Sequence, residues 1–355
     1  MVLKMSNFFV IFIIFLLISN TIICYRANDI AKFFKIIDHP SKKKIHSKPT
    51  PLIGGVIFFF NIILLIFLDI FLASNSVTNS ELLFDLRFIS VKQILVFLMA
   101  VISIYLVSFY DDVYDIRPFR KMILYTLILY VLIISNPNIE IRQLQFYNFR
   151  YIVNFNNFSI YLTLFCVLAF MNAANMFDGI NLQSSILYSS FLFIFLIKGI
   201  DSKFLLIFLI SLIFFSYMNF QGKIFIGNNG SYFLSFLVSI IIIADHNWNK
   251  NYFVEEIFLY MMLPGIDMVR LFFVRLINNK SPFQGDNNHI HHLLVKKLNY
   301  IKAIVIIFLL IFFPIFLFHF LKINPLLLII SFMIIYFTIL KICSNKNIQK
   351  KSYNL

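Results

Sequence analysis

The chain reads as an all-α polytopic membrane protein, and three observations carry that reading. Hydrophobic residues make up 61% of its 355 positions, with 47 phenylalanines against 9 glycines. The mean hydropathy is +0.88. Apolar stretches of roughly 17 to 25 residues recur from end to end, the length a helix needs to cross about 30 Å of hydrocarbon. No soluble core needs so many. The net charge of +14 sits in short loops between these stretches. It fits the positive-inside bias and attraction to anionic lipid or substrate, rather than nucleic acid. Cys24, Cys166 and Cys343 lie in or beside apolar segments without metal-like spacing, so neither a disulfide framework nor a zinc site is expected.

Hydropathy predicts about eleven spans, near 7–24, 52–73, 91–109, 122–135, 156–171, 183–198, 203–219, 231–245, 254–273, 301–320 and 325–342. The first lacks a small-residue cleavage site and reads as a retained span. Residues 1–355 form a single integral membrane domain. The 25–50 loop carries Arg26, Lys32, Lys35, Lys42, Lys43, Lys44 and Lys48, and 110–121, 270–300 and 343–355 are also basic. The alternate connections are poorer in positive charge, which puts the N-terminus outside and the C-terminus in the cytoplasm. With eleven spans, the loops at about 25–50, 110–121, 172–182, 220–230 and 274–300 share the cytoplasmic face, and every unusual polar cluster falls in one of them.

The most polar cluster is Ser281-Pro282-Phe283-Gln284-Gly285-Asp286-Asn287-Asn288-His289-Ile290-His291-His292. Three imidazoles within four residues can surround one anionic group. Asp38 to His46, with its lysine run, leads into Gly54-Gly55, where a backbone or ligand can approach closely; the lysines also suit an anchor on acidic headgroups. Tyr110-Asp111-Asp112 leaves the third span, and carboxylates at a membrane boundary are functional candidates by default. Neighbouring aspartates cannot share one helix face, so one is expected to meet a substrate proton or phosphate and the other a cation or basic side chain. Asn172 and Asn175 lie one turn apart, and Asp178-Gly179 opens a turn beyond them. Their oxygens suit a hard divalent cation and a nucleotide, or simply a helix cap. Phe225-Ile226-Gly227-Asn228-Asn229-Gly230-Ser231 exposes backbone N–H groups and is expected to form an anion nest, or an ordinary turn.

In this order, over roughly residues 5 to 340, the five clusters resemble the polyprenyl-phosphate N-acetylhexosamine-1-phosphate transferases of glycosyltransferase family 4. The Asp-Asp pair, the Asn-x-x-Asn-x-x-Asp-Gly motif and the Ser-Pro-Phe-x-x-Asp-x-x-His-x-His-His run carry the resemblance, the last being similar to the amino-sugar branch. It implies a multi-pass enzyme of the bacterial inner membrane whose site faces the cytoplasm. Sugar-1-phosphate, by default N-acetylglucosamine-1-phosphate, would pass from a UDP-amino sugar to polyprenyl phosphate, releasing UMP and starting a surface glycan. Direct attack and a covalent aspartyl intermediate both stay open. By resemblance, Mg²⁺ (or Mn²⁺) would be held with help from Asn175 and Asn228. Asp111, Asp112 and Asp178 would be catalytic. Lys43, Lys44, His46, Lys121, Asn172, Arg275, Asp286, His289, His291 and His292 would contact substrate. A homodimer is compatible with this picture, and nucleic acid is not an expected partner.

Three positions depart from the family pattern. Lys43-Lys44 stands for the usual Arg-Lys, keeping the charge without the guanidinium fork. Asn181 replaces an aspartate-glycine step. Asn228 stands where the family has an aspartate expected to bind metal. The alternative reading is therefore a catalytically weakened relative that binds lipid or nucleotide sugar. A secondary transporter would keep ionisable groups at the midplane, often with inverted repeats. A membrane metalloprotease would show His-Glu-x-x-His. The sequence shows neither pattern.

Overall fold

The computed structural model describes residues 2–40, 47–74, 90–149, 151–200, 202–282 and 286–344. Each of the eleven apolar segments lies in a helix, and two short helices join them. In chain order they are α1 (Val2–Tyr25), α2 (Ala27–Phe34), α3 (Gly54–Ser74), α4 (Val91–Tyr114), α5 (Pro118–Ser135), α6 (Ser159–Phe177) and α7 (Gln183–Lys198). They continue as α8 (Ser202–Phe220), α9 (Gly227–Asn249), α10 (Val254–Ile277), α11 (Ile290–Lys297), α12 (Tyr300–Leu321) and α13 (Pro325–Ser344). Two antiparallel ribbons interrupt them: β1 (Ile37–Asp38) with β2 (Thr50–Pro51), and β3 (Gln143–Gln145) with β4 (Ile152–Asn154).

The protein is thus an all-α polytopic membrane protein. Among the described residues nine helices are individually long and apolar enough to cross a bilayer, and a tenth span arises if α1 and α2 are counted together across their 69° bend. Two places blur the sequence count of eleven. The α7 helix is only 16 residues long and ends at Gly199 in the left-handed region. The stretch after Tyr25, read as loop, is α2, an amphipathic helix with Ala27 and Ala31 buried and Phe33 and Phe34 exposed. Such a helix suits the plane of a membrane interface.

The organising element is α9, with 19 of its 23 residues buried, packed against α3, α4 and α6. Its stripe Gly227, Ser231, Ser235 and Ser239 repeats every four residues, so one face is small. Helix backbones approach closely along such a face, and the serine hydroxyls stay satisfied: Ser235 donates to Ser231 O at 2.6 Å and Ser239 to Ser235 O at 2.8 Å. The crossing with α3 is a close one. A Cβ built on Gly55 would lie 1.8 Å from Asn229 Oδ1 and 2.3 Å from the Gly230 nitrogen. Gly54 N–H and Gly55 N–H donate to the carbonyls of Phe225 and Ile226 at 2.9 and 3.0 Å, and Phe225 N–H donates to Pro51 O at 2.9 Å. The Gly54-Gly55 pair therefore admits a backbone rather than a ligand. Above the crossing Phe59 stacks on Tyr105 at 3.7 Å, with Phe233 edge-on to both.

The far end of the bundle is closed by a separate polar knot. Lys198 pairs with Glu256 at 2.6 Å, and Tyr260 and His319 complete the cluster. Glu255 accepts the N–H groups of Tyr147 and Asn148 at 2.9 and 3.3 Å, tying the β3–β4 ribbon to α10. Both glutamates lie in the first turn of α10, where the helix dipole favours negative charge.

Candidate active site

The opposite end gathers the C-termini of α4, α6 and α10 with the N-termini of α7, α9 and α11. Asp111 and Asp112 diverge there, as adjacent residues on a helix must. Asp111 is buried; its Oδ2 pairs with Lys121 at 2.7 Å and its Oδ1 accepts the Ile116 N–H at 2.8 Å. Lys121 sits 4.9 Å above the Tyr232 ring. The Tyr232 hydroxyl donates to Asn172 Oδ1 at 3.3 Å, while the Asn172 amide donates to Leu168 O at 2.7 Å.

Asp112 turns toward α9. Its Oδ1 accepts the Asn228 N–H at 2.8 Å, and its Oδ2 accepts the Asn229 N–H at 2.9 Å and the Asn229 side-chain amide at 2.6 Å. A carboxylate thus caps the start of α9 from another helix, where unpaired N–H groups and the dipole favour negative charge. Gly227 makes this approach with φ +73° and a Cβ position 2.9 Å from Asp112 Oδ2. The N–H nest expected around residues 227–231 is present, but an internal aspartate fills it.

The amide of Asn175 donates to Asn228 Oδ1 and to Ser231 Oγ, both at 2.7 Å. These two residues, expected to serve a metal, are direct neighbours. Asp178 caps the end of α6 and accepts the Ser184 hydroxyl. Burial pushes its carboxyl up to about 6; the Ser184 hydrogen bond opposes this and the charge of Asp38 adds to it.

The histidines close the site from the other side. Gln183 takes the Gly179 N–H on its Oε1 at 3.3 Å and presents its amide to His291 Nδ1 at 3.1 Å. His291 Nε2 is buried without a partner and lies 1.9 Å from where a Cβ on Gly179 would be, so only glycine fits there. Burial holds His291 well below the usual imidazole range, and His292 and His289 add to the effect. His292 is lowered to about 4, chiefly by burial. His289 donates from Nδ1 to Asp267 at 2.8 Å. Arg275 reaches Asp286 at 2.8 Å and Pro282 O at 2.8 Å. Burial alone would raise Asp286, yet the Arg275 hydrogen bond and the Asn288 N–H hold it below the usual carboxylate range. Arg275 Nη2 is buried and unpartnered. Two unmet donors, on Arg275 and His291, are what an anion-binding surface would offer.

Lys43, Lys44 and His46 lie outside the described residues. The structure adds residues outside the clusters read from the sequence: Gln183, Ser184, Tyr232, Asp267, Arg270 and Tyr336. Asp267 and Arg270 had a readable signal, being ionisable residues inside an apolar span. Asp267, His289 and His291 bring one carboxylate oxygen and two ring nitrogens within 4.8 Å of one another. Arg270 pairs with Asp267 at 2.7 Å, so the positive charge at that carboxylate is already supplied.

Fold and site together define a multi-pass membrane protein with a polar, anion-oriented site at one end of its bundle. The profile of glycosyl transferase family 4 matches residues 94–246. The chain is similar to the undecaprenyl-phosphate alpha-N-acetylglucosaminyl 1-phosphate transferase of Salmonella typhimurium, 26% identical over 297 residues, covering 80% of this chain and 76% of the relative. A probable undecaprenyl-phosphate N-acetylglucosaminyl 1-phosphate transferase of Bacillus subtilis is 24% identical over 284 residues, covering 77% and 74%. The Thermotoga maritima undecaprenyl-phosphate alpha-N-acetylglucosaminyl 1-phosphate transferase is 24% identical over 280 residues, covering 78% and 79%.

Proposed function

We propose that this protein transfers N-acetylhexosamine-1-phosphate, by default N-acetylglucosamine-1-phosphate, from a UDP-sugar to polyprenyl phosphate at the cytoplasmic face of a bacterial inner membrane. The supporting observation is the meeting of three helix ends at Asp112, Asn228, Asn175 and Asp178, with the histidine helix set against Gly179. A lipid-phosphate oxygen forms a bond to the β-phosphorus. The bond from that phosphorus to the α–β bridging oxygen breaks, and the bridging oxygen leaves with UMP. A dianionic lipid phosphate and a dianionic UDP-sugar give two dianions, so the step balances without a proton transfer.

Two anions must approach each other, and fixed positive charge and donors lower that cost. Asp111 anchors Lys121 over Tyr232, so this ammonium is held in place before substrate arrives. Arg275 and His291 offer their unmet donors to phosphate oxygens. Asp112 holds the start of α9, and with it Asn228, in position. Asp178 keeps a carboxylate beside the Gly179 turn at neutral pH.

A magnesium ion fits the Asn175–Asn228 pair by donor type. Both supply amide oxygens, and Mg²⁺ takes oxygen ligands with substrate phosphates and water. Neither carries charge, and Asn228 Oδ1 already accepts the Asn175 amide. The fit is therefore to a cation that brings its anionic ligands with the diphosphate. Bound there, it would offset negative charge on the reacting phosphates.

The decisive test is transfer of label from UDP-GlcNAc to undecaprenyl phosphate in purified membranes, with and without Mg²⁺. Labelled lipid with released UMP supports the proposal, and product from another UDP-amino sugar alone changes only the sugar. The neutral Asn228 favours a second reading, a weakened relative that binds without turnover. UDP-sugar binding with no product from any donor would select it.

A further inference from the structure

His289 and His291 are held by partners that demand opposite tautomers. Asp267, on α10, receives four kinds of donor. Arg270 and the Tyr336 hydroxyl both donate to Oδ1 at 2.7 Å, His289 Nδ1 lies 2.8 Å from Oδ2, and the Ile290 N–H reaches the carboxylate at 3.3 Å. Arg270 is itself braced by the Tyr336 oxygen at 2.8 Å and the Asn288 carbonyl at 2.7 Å. A carboxylate with a guanidinium and a phenol on one oxygen is an acceptor only, so His289 must carry its proton on Nδ1. In the neutral ring Nε2 is then the nitrogen with a free lone pair.

His291 is set the other way. Gln183 Oε1 is occupied by the Gly179 N–H, so the Gln183 nitrogen faces His291 Nδ1 and must donate to it. The His291 proton is thereby placed on Nε2, the buried nitrogen without a partner over Gly179. The two rings stack nearly parallel, with centroids 5.3 Å apart and 13° between planes. One offers a lone pair and its neighbour an N–H.

We infer that Asp267 and Gln183 are positioning residues that fix His289 as an acceptor at Nε2 and His291 as a donor at Nε2. The pair is thereby tuned to a ligand presenting a hydroxyl or amide N–H beside a phosphate oxygen. A nucleotide sugar offers both, and the identity of that ligand rests on the transferase reading. The charged and titratable groups facing His289 are Asp267 and Arg270 from α10, Tyr336 from α13, His291 and His292 from α11, and Asp286 from the preceding loop. Other arrangements of a polar loop would leave the tautomers free; this one constrains both.

The test is nitrogen NMR of the full-length chain in detergent with ¹⁵N-histidine, its seven histidines assigned by single His→Gln variants. The expected result is His289 protonated at Nδ1 with Nε2 bare, and His291 protonated at Nε2. Asp267→Ala should scramble His289 alone and Gln183→Leu should scramble His291 alone. Asp267→Glu, which retains a carboxylate with two acceptor oxygens, should keep His289 largely in place. A wild-type spectrum with His289 protonated at Nε2, or tautomers indifferent to both substitutions, overturns the inference even if one variant fails to fold. In transfer assays Asp267→Ala should raise KM for the UDP-sugar about tenfold or more, with KM for the lipid unchanged and partial recovery in Asp267→Glu. Equal loss for both substrates without recovery would mean a merely structural role. Wild-type tautomers as stated, without transfer from any UDP-sugar, would remove the transferase reading and leave the positioning intact.

Discussion

Asp112 and Asn229 are joined twice, through the Asn229 backbone N–H at 2.9 Å and its side-chain amide at 2.6 Å. The carboxylate thus serves as the cap of a helix to which it does not belong. Asp112→Asn would place an amide against N–H donors, leaving at least one of them unmet in a buried setting. We expect a loss of about 1–3 kcal/mol in stability together with abolished transfer, read as melting temperature in detergent and as labelled lipid in membranes. Full transfer by this variant would remove Asp112 from the reaction.

His291→Ala deletes the buried donor over Gly179. A hydrogen bond to a charged group contributes about 1.5–3 kcal/mol, so KM for the UDP-sugar should rise roughly ten- to hundredfold. Steady-state kinetics at fixed lipid would show it. An unchanged KM would reduce the histidine helix to a packing element.

Asp178 predicts an acid limit. With its carboxyl pushed up to about 6, the group is charged above that pH and neutral below it. Transfer that depends on the carboxylate should therefore fall as pH drops through about 6. The Ser184 hydroxyl favours the charged form, so Ser184→Ala should move this limb to higher pH. A pH–rate profile of the two proteins decides, and a limb that stays put would exclude Asp178 from the rate.

Asn228→Asp adds a charge beside Asn175, whose amide at 2.7 Å can donate to either residue. The Mg²⁺ concentration for half-maximal rate should fall. Titrations giving identical curves would show that position 228 does not bear on the metal.

Gly55→Ala should disrupt the crossing of α3 and α9, because the added carbon would sit 1.8 Å from Asn229 Oδ1 and 2.3 Å from backbone. Low membrane yield and a lowered melting temperature are expected. Gly265→Ala is the control, since nothing lies within 4 Å of that position.

Much of this architecture was legible in the sequence because hydropathy is a local signal. Every apolar stretch became a helix, and the polar clusters of α4, α6, α9 and α11 came together at one end. Pairings across long sequence separations left no such signal. Nothing local to Asp112 says that its partners lie at 228 and 229, and nothing near Gly179 points to His291. The α2 helix was missed because eight residues with charges at 26, 29, 32 and 35 read as loop. Asp267 and Arg270 were missed because the surrounding apolar run was taken as a uniform span. Their partners are a histidine 22 residues later and a tyrosine 69 residues later.

The cap on α9 also bears on how the protein is made. Asp112 leaves the ribosome 116 residues before Asn228. A chain interrupted between residues 113 and 227 holds the aspartate pair but none of the donors that Asp112 uses. The cap that Asp112 provides and the start of the central helix are therefore completed in the same event.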